Sequence, residues 1–194
     1  LEAFETDVEI PLKYGVDQCV GDTLCIGGIM YGQRGINAIL EFCRDIREVA
    51  LPGCVLLNYS NPNAMVTWAC NKYGKVPTYG LCHGVQHGHE QIAQVLGRDK
   101  KDVDIICAGL NHQTWYISVK TDGIERTPEL YQLMCEADFA KDENIRLDVM
   151  KRFGYYSTES NGHLSEYLMW YRKRPEEMES WINYSSWIQG ETAG

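Results

Sequence analysis

Long apolar runs are missing from this chain. None of its 194 residues belongs to a stretch approaching the ~20 residues that a membrane span needs, and a membrane is not among the expected partners. Basic blocks are missing too. Net charge is −9, and only Arg172-Lys173-Arg174 clusters positive charge, whereas nucleic acid needs a basic face to neutralise phosphates. The eight cysteines include no CxxC pair. That excludes a disulfide scaffold and points to reduced thiols in a cytoplasmic protein. There is no initiator methionine and no signal peptide, since Leu1-Glu2-Ala3-Phe4-Glu5-Thr6-Asp7 is acidic. The expectation is a chain that starts inside a longer one. What is present is ordinary for a globular protein, with 44% hydrophobic and 23% charged residues.

Two stretches organise the rest. Tyr79-Gly80-Leu81-Cys82-His83-Gly84 reads as the end of a buried strand, Val76 to Leu81, that opens into a helix at about His89 to Leu96. Ala108-Gly109-Leu110-Asn111-His112 ends a second apolar strand, Val103 to Gly109. Two strands of one sheet stopping at one edge would gather Cys82, His83, Asn111 and His112 around a crevice, where ligands of open α/β sheets bind.

Residues 1–35 read as loop-rich. Val8 to Lys13 is expected to be extended, with turns at Gly15-Val16-Asp17-Gln18 and Gly21-Asp22-Thr23 and a break at Gly27-Gly28. Such a stretch is either a surface loop or one that approaches a ligand closely. From Tyr31 to Ala50, Ile36, Ile39, Leu40, Cys43, Ile46 and Val49 recur at helical spacing, and Pro52-Gly53 ends the helix. Cys54 to Tyr59, Val76 to Leu81 and Val103 to Gly109 alternate with helices at Ala64 to Tyr73 and His89 to Leu96. This predicts consecutive βαβ units and a parallel sheet. After His112 the pattern changes. Thr114 to Lys120 alternates into a hairpin signal at Thr121-Asp122-Gly123-Ile124. Helices follow at Pro128 to Cys135, with Thr127 as N-cap, over 136–152, at Ser165 to Arg174 and at Pro175 to Ser180. Tyr155 to His163 reads as a polar loop, and Trp181 to Gly194 shows no period. The domain boundary is placed near residue 113, dividing the chain into 1–112 and 113–194.

Thiolate and imidazole are ligands for divalent transition metals. Cys82, with one or both of His83 and His112, would leave coordination positions open for substrate oxygens, as catalytic sites do. A buried cysteine beside polar loop residues fits the same spacing. The other seven cysteines are expected to pack as small hydrophobes, and His89 is assigned to the start of its helix. Asn58-Tyr59-Ser60-Asn61-Pro62 is either an Asx-Pro turn or a place where an amide sits over a cofactor or substrate. Tyr155 to His163, with Ser165-Glu166-Tyr167, either lines a sugar pocket or forms a polar loop beside a helix.

Taken in order, Ile10-Pro11-Leu12-Lys13-Tyr14-Gly15-Val16, Gln18, Gly21-Asp22-Thr23, Gly27-Gly28-Ile29, Asn58 to Pro62, Gly80 to Gly84 and Gly109 to His112 resemble the NAD- and manganese-dependent glycosidases of glycoside hydrolase family four. Ser160 to Tyr167 resembles the branch that acts on unphosphorylated α-glycosides. The resemblance runs over nearly the whole chain and is poorest after about Arg174. It implies an α/β fold, with a partial Rossmann-like parallel sheet followed by a lactate-dehydrogenase-like α+β second domain. The Gly-rich nucleotide loop of that family is absent, which makes the chain an internal fragment of the enzyme. The implied route departs from the two-carboxylate mechanism. Bound NAD takes hydride from C3 of the sugar, a base removes the acidified C2 proton, a divalent metal such as Mn2+ stabilises the enediolate, and the leaving group departs from C1 before water adds and hydride returns.

By the same resemblance Cys82 and His112 are metal ligands, Asn61 lies near substrate, metal and cofactor, and Asn58 lies near the cofactor. His83 contacts the sugar or assists the leaving group, Tyr167 is the C2 base, and Asn111 and His163 contact substrate. The Cys-His-Gly-Val form is closest to members acting on uronic acids, particularly α-galacturonides. Arg34 or Arg172 would then fork onto the substrate carboxylate. An α-galactosidase, α-glucosidase or α-glucuronidase is the alternative within the family. The protein is expected to take a small-molecule glycoside and to assemble as a homo-oligomer, a dimer or tetramer. A metal-independent 2-hydroxy-acid dehydrogenase, a non-catalytic binding module, and a truncated half-sheet that survives only by association are the competing readings.

Overall fold

Twenty-five residues, Cys25–Val49, form the long helix α2 against which the first part of the chain is built. The computed structural model describes residues 2–182; the expectation for the tail beyond Ile182 lies outside them. The chain divides into two compact units, one ending at Cys82 and the other beginning at His83.

In the first unit, the stretch expected to be extended is helix α1, Glu2–Lys13. Pro11 sits inside this helix and cannot donate to the carbonyl four residues back, that of Asp7. Gln18 supplies the missing donor, its Nε2 lying 3.0 Å from the Asp7 carbonyl oxygen. The Oε1 of the same amide accepts from the Gly27 N–H at 2.9 Å, an N–H in the first turn of α2 with no partner inside its helix. One buried side chain thus closes the end of α1 and the start of α2. Gly27-Gly28, expected as a break, lies within α2. A side chain at Gly28 would come within 2.6 Å of the Thr23 backbone, and one at Gly27 would strike the Gly21 carbonyl. These glycines permit close packing rather than ending the helix.

The apolar stripe of α2 then buries Cys43 with Val66, Cys70 and Val76, flanked by Ile36, Ile39, Ile46 and Leu56. Strand β1 (Leu56–Asn58) runs through α3 (Asn63–Ala69) and a π-helical turn at Cys70–Gly74 into β2 (Thr78–Gly80). The two strands pair in parallel, Leu56 with Thr78 and Asn58 with Gly80, so this βαβ unit is as expected.

The third expected strand does not join that sheet. In the second unit, α4 (Gly84–Val95) precedes β3 (Asp104–Leu110), which pairs antiparallel with β4 (Gln113–Thr121). Leu110 faces Gln113 across a two-residue turn, Asn111-His112. A link so short can join only antiparallel strands. The two stretches carrying Cys82 and His112 therefore do not share a sheet. Strand β4 also pairs with β5 (Ile124–Glu125) across Asp122-Gly123 and with β6 (Tyr156–Ser157). Both turn residues have positive φ, 52° and 76°, as a type I′ hairpin requires.

Helices α5 (Thr127–Glu136), α6 (Asn144–Phe153), α7 (Asn161–Tyr167) and α8 (Pro175–Trp181) complete the unit. Arg126, not Thr127, is the N-cap of α5. The helix expected from Ser165 to Arg174 instead begins at Asn161 and stops at Tyr167. Ile92, Val103, Tyr116, Val119, Leu130, Met134 and Tyr156 form the core between α4, α5 and the sheet. Ile145, Val149, Leu164 and Tyr171 form a second core around α6 and α7. The architecture is α/β, a parallel sheet followed by an antiparallel-sheet region.

Candidate metal and substrate site

His112 occupies the turn between β3 and β4 with φ at +60°, a left-handed conformation that costs a non-glycine residue roughly 1 kcal/mol or more. The strain comes with a buried imidazole, 8% exposed. Its Nδ1 lies 3.0 Å from Nε2 of His163 and 3.8 Å from Oε2 of Glu159. Both partners come from the segment after β6, which pairs Trp115 with Ser157 and Tyr116 with Tyr156. The Thr158 N–H then donates to the Thr114 carbonyl at 2.9 Å, holding the segment beside the hairpin. His163, on α7, passes its other nitrogen to Glu166, with Nδ1 to Oε2 at 2.5 Å. The ring of Tyr167 is edge-on to both imidazoles, 5.3 Å from His163 and 6.4 Å from His112 between centroids.

Two carboxylates buried beside two imidazoles set the electrostatics. Glu159 Oε1 accepts the Ser160 N–H at 2.9 Å, but Oε2 is buried without a hydrogen-bond partner. A buried carboxylate oxygen left in that state is costly unless a cation meets it. With the His112 imidazole beside it, an oxygen and a nitrogen donor stand ready for a divalent transition metal, and the residues present fit one. Glu159 was not singled out by the sequence. It sits in a polar run among serines and threonines, where nothing distinguishes an inward carboxylate from a solvated one.

Cys82 closes the first unit. The chain just before it is fixed by Asn63, another residue missed in the sequence. Asn63 Nδ2 donates to the Asn58 carbonyl at 2.9 Å and to the Leu81 carbonyl at 3.1 Å, and the Leu81 N–H donates to the Asn58 carbonyl at 2.9 Å. His83 opens the second unit as the exposed N-cap of α4. That helix begins five residues earlier than expected, so His89 lies within it, its Nε2 2.8 Å from the Val103 carbonyl. Asn111 is half-buried in the turn beside His112.

Other predicted residues have local tasks. The Asn58 amide braces the loop after β1, donating to the Ser60 carbonyl and to Thr67 Oγ1 and accepting the Ser60 N–H. Asn61 Nδ2 donates to Asp22 Oδ2 at 3.0 Å, which ties the Ser-Asn-Pro loop to the Gly-Asp-Thr turn. Arg34 forks onto Asp7 of α1 through both terminal nitrogens, so the guanidinium expected to meet a substrate carboxylate already holds one. Arg172 Nη1 donates to Ser165 Oγ at 3.1 Å. Among the cysteines, Cys25, Cys54 and Cys135 are exposed rather than packed. Burial pushes the thiols of Cys70 and Cys107 up to about 11, leaving both protonated and inert at neutral pH.

The model of the family 4 glycosyl hydrolases matches residues 1–98, and that of the family 4 glycosyl hydrolase C-terminal domain matches 107–193. An α-galactosidase of Rhizobium meliloti is 62% identical over 196 residues, covering 100% of this chain and 40% of the relative. The crystal structure of lplD from Bacillus subtilis superposes with a TM-score of 0.79 at 26% identity, over 93% of this chain and 46% of that one. A 6-phospho-α-glucosidase from gut microorganisms, solved with NAD and Mn2+, shares the fold at a TM-score of 0.67 and 23% identity, over 80% of this chain and 38% of its own. The chain spans about 40% of the length of the α-galactosidase it matches. It belongs to the family 4 glycosyl hydrolases.

Proposed function

We propose that this chain carries the metal corner and part of the substrate pocket of an NAD- and Mn2+-dependent α-glycosidase that acts on α-galactosides. The observation that carries the reading is the buried Glu159 oxygen lacking a hydrogen-bond partner beside His112, in a family 4 chain. The boundary expected at residues 112 and 113 would cut the β3–β4 hairpin, so residues 1–98 are assigned to the nucleotide-binding domain and 107–193 to the substrate domain, as the two family models divide them. The preference for a neutral galactoside over the galacturonide that the Cys-His-Gly-Val form suggests has two supports. The α-galactosidase of Rhizobium meliloti is 62% identical, and the fork of Arg34 is occupied by Asp7.

His112 and Glu159 would hold the metal, with Cys82 as the thiolate ligand of the family motif. When bound, NAD supplies a hydride acceptor for the sugar C3–H and the metal a Lewis acid for the C2 and C3 oxygens. The remaining work is done by side chains. Tyr167 removes the proton from C2 once C3 is a ketone, and later returns a proton there. His83 donates a proton to the glycosidic oxygen as the C1–O bond breaks, and an imidazole is suited to that near neutral pH. Asn61 and Asn111 orient sugar hydroxyls. Free thiols fit a cytoplasmic protein with a small-molecule partner, and the open two-stranded β1–β2 sheet fits assembly as a homo-oligomer.

The test is turnover of an aryl α-galactoside by the whole protein in heavy water, with NAD, Mn2+ and a reducing agent. The galactose released should carry deuterium at C2. Product without deuterium, or undiminished turnover after chelation, sinks the reading. Faster turnover of the galacturonide would restore the uronate alternative.

A further inference from the structure

Two buried side chains, His163 and Glu166, stand in line behind the candidate ligand His112. Glu166, whose side chain is 2% exposed, meets Nδ1 of His163 at 2.5 Å. Nε2 of His163 in turn meets Nδ1 of His112 at 3.0 Å. A carboxylate only accepts, so the proton between Glu166 and His163 belongs to His163 Nδ1. A neutral imidazole carries one N–H, which leaves Nε2 of His163 as an acceptor. The contact with His112 then needs its proton on His112 Nδ1. Glu159, 3.8 Å from the same Nδ1, favours that placement by charge. The remaining nitrogen of His112, Nε2, keeps its lone pair.

We propose that His163 and Glu166 are positioning residues that fix His112 as its Nδ1–H tautomer and so present Nε2 as the metal-binding atom. The inference rests on the reading of His112 as a ligand and adds a reason for the neighbours it has. It also gives His163 a different task from contact with sugar, because both its nitrogens are engaged within the relay. The arrangement extends the carboxylate–histidine support of metal ligands by one imidazole. Such outer partners are worth about 10–100-fold in metal affinity. The relay is set by the turn of α7 that places Glu166 three residues after His163.

The experiment uses the chain labelled with 15N-histidine, free of metal, and reads the long-range proton–nitrogen correlations of its five histidines. The expected spectrum has His112 and His163 each protonated at Nδ1 and unprotonated at Nε2. A proton on Nε2 of His112, or one averaged between its nitrogens, overturns the proposal. In His163→Leu, which removes the acceptor for His112 Nδ1–H, His112 should shift toward the Nε2–H form and the dissociation constant for Mn2+ should rise about 10–100-fold. Glu166→Gln retains an acceptor for His163 and should keep the His112 tautomer. If His163→Leu fails to fold, the unsubstituted chain still decides. Relay tautomers without Mn2+ binding would count against His112 as a ligand and leave the relay standing. Mn2+ binding to a chain with His112 protonated at Nε2 would remove the relay alone.

Discussion

Left-handed backbone at His112 is a residue-scale choice with a measurable cost. Asparagine tolerates this region better than most residues, and a β-branched side chain tolerates it worst. His112→Val should therefore be less stable than His112→Asn by about 1–2 kcal/mol in urea unfolding, even though valine is the more apolar residue for a buried site. The reverse order would mean that burial, not backbone strain, governs the position. A second residue-scale prediction concerns Gly88 on α4. A Cβ there would lie 2.9 Å from a ring carbon of Tyr116, whose hydroxyl donates to the Val85 carbonyl at 2.6 Å. Gly88→Ala should cost about 1–3 kcal/mol by overpacking, against a small gain from helix propensity, and should leave the midpoint of Tyr116→Phe less changed.

At the scale of elements, Arg146 of α6 knits α4, α6 and β6 together. It is fully buried, with its guanidinium 3.9 Å from the Tyr156 ring centroid. It donates to Gln91 at 2.7 Å, Glu143 at 2.9 Å and the Ser157 carbonyl at 2.7 Å. Arg146→Met should destabilise by about 3–5 kcal/mol, because Glu143 is left charged and buried, and replacing both partners with apolar residues should recover much of the loss. The β4–β5 hairpin gives a pH prediction. Glu125 accepts from Thr127, Ser118 and the Val119 N–H, which lowers its carboxyl from about 4.5 to about 2. Its folded value lies below its unfolded one, so the stabilisation is complete above about 4.5 and disappears as pH falls through about 2. Unfolding midpoints of the parent and Glu125→Gln should differ by a constant amount at neutral pH and converge on acidification. The same elements show what could be seen in the sequence. The α2 stripe from Ile36 to Val49 was plain, because one face of it is apolar. Its first turns were hidden because Gly27-Gly28 looks like a break until Gly21 and Thr23 are seen against it. Helix α1 was hidden by Pro11, whose cost is met by a distant Gln18. Strand β3 was legible as a strand, but its partner was set by the two-residue turn at Asn111-His112. Of the candidate ligands, Cys82 and His112 are legible as thiolate and imidazole at strand ends and through the family pattern, whereas the buried, unbonded oxygen of Glu159 is visible only in the structure.

The whole molecule has a sheet problem. A two-stranded parallel sheet lacks the strands that normally give such a sheet independent stability, and β1–β2 leaves Leu57 and Tyr79 58% and 61% exposed. Open edges with apolar side chains favour pairing with another chain. This 194-residue chain should therefore associate with rising concentration in light scattering, and Leu57→Lys with Tyr79→Lys should reduce it. A monodisperse monomer at every concentration would refute this. Net charge of −9 opposes association at low salt, and added salt should strengthen it.

The amide of Asn161 has a further consequence. It precedes Gly162, the neighbour that least hinders attack of a backbone nitrogen on an asparagine side chain. Here the attack is blocked, because Asn161 Oδ1 is held by the N–H groups of Ile145 and Arg146 at 2.8 and 3.3 Å. Conversion of this residue to aspartate or isoaspartate therefore requires α7 to come away from α6. In a stored sample, acid formation at Asn161 would act as a clock that runs only while the two helices are apart. Its rate would report the ageing of the very segment that carries His163 and Glu166.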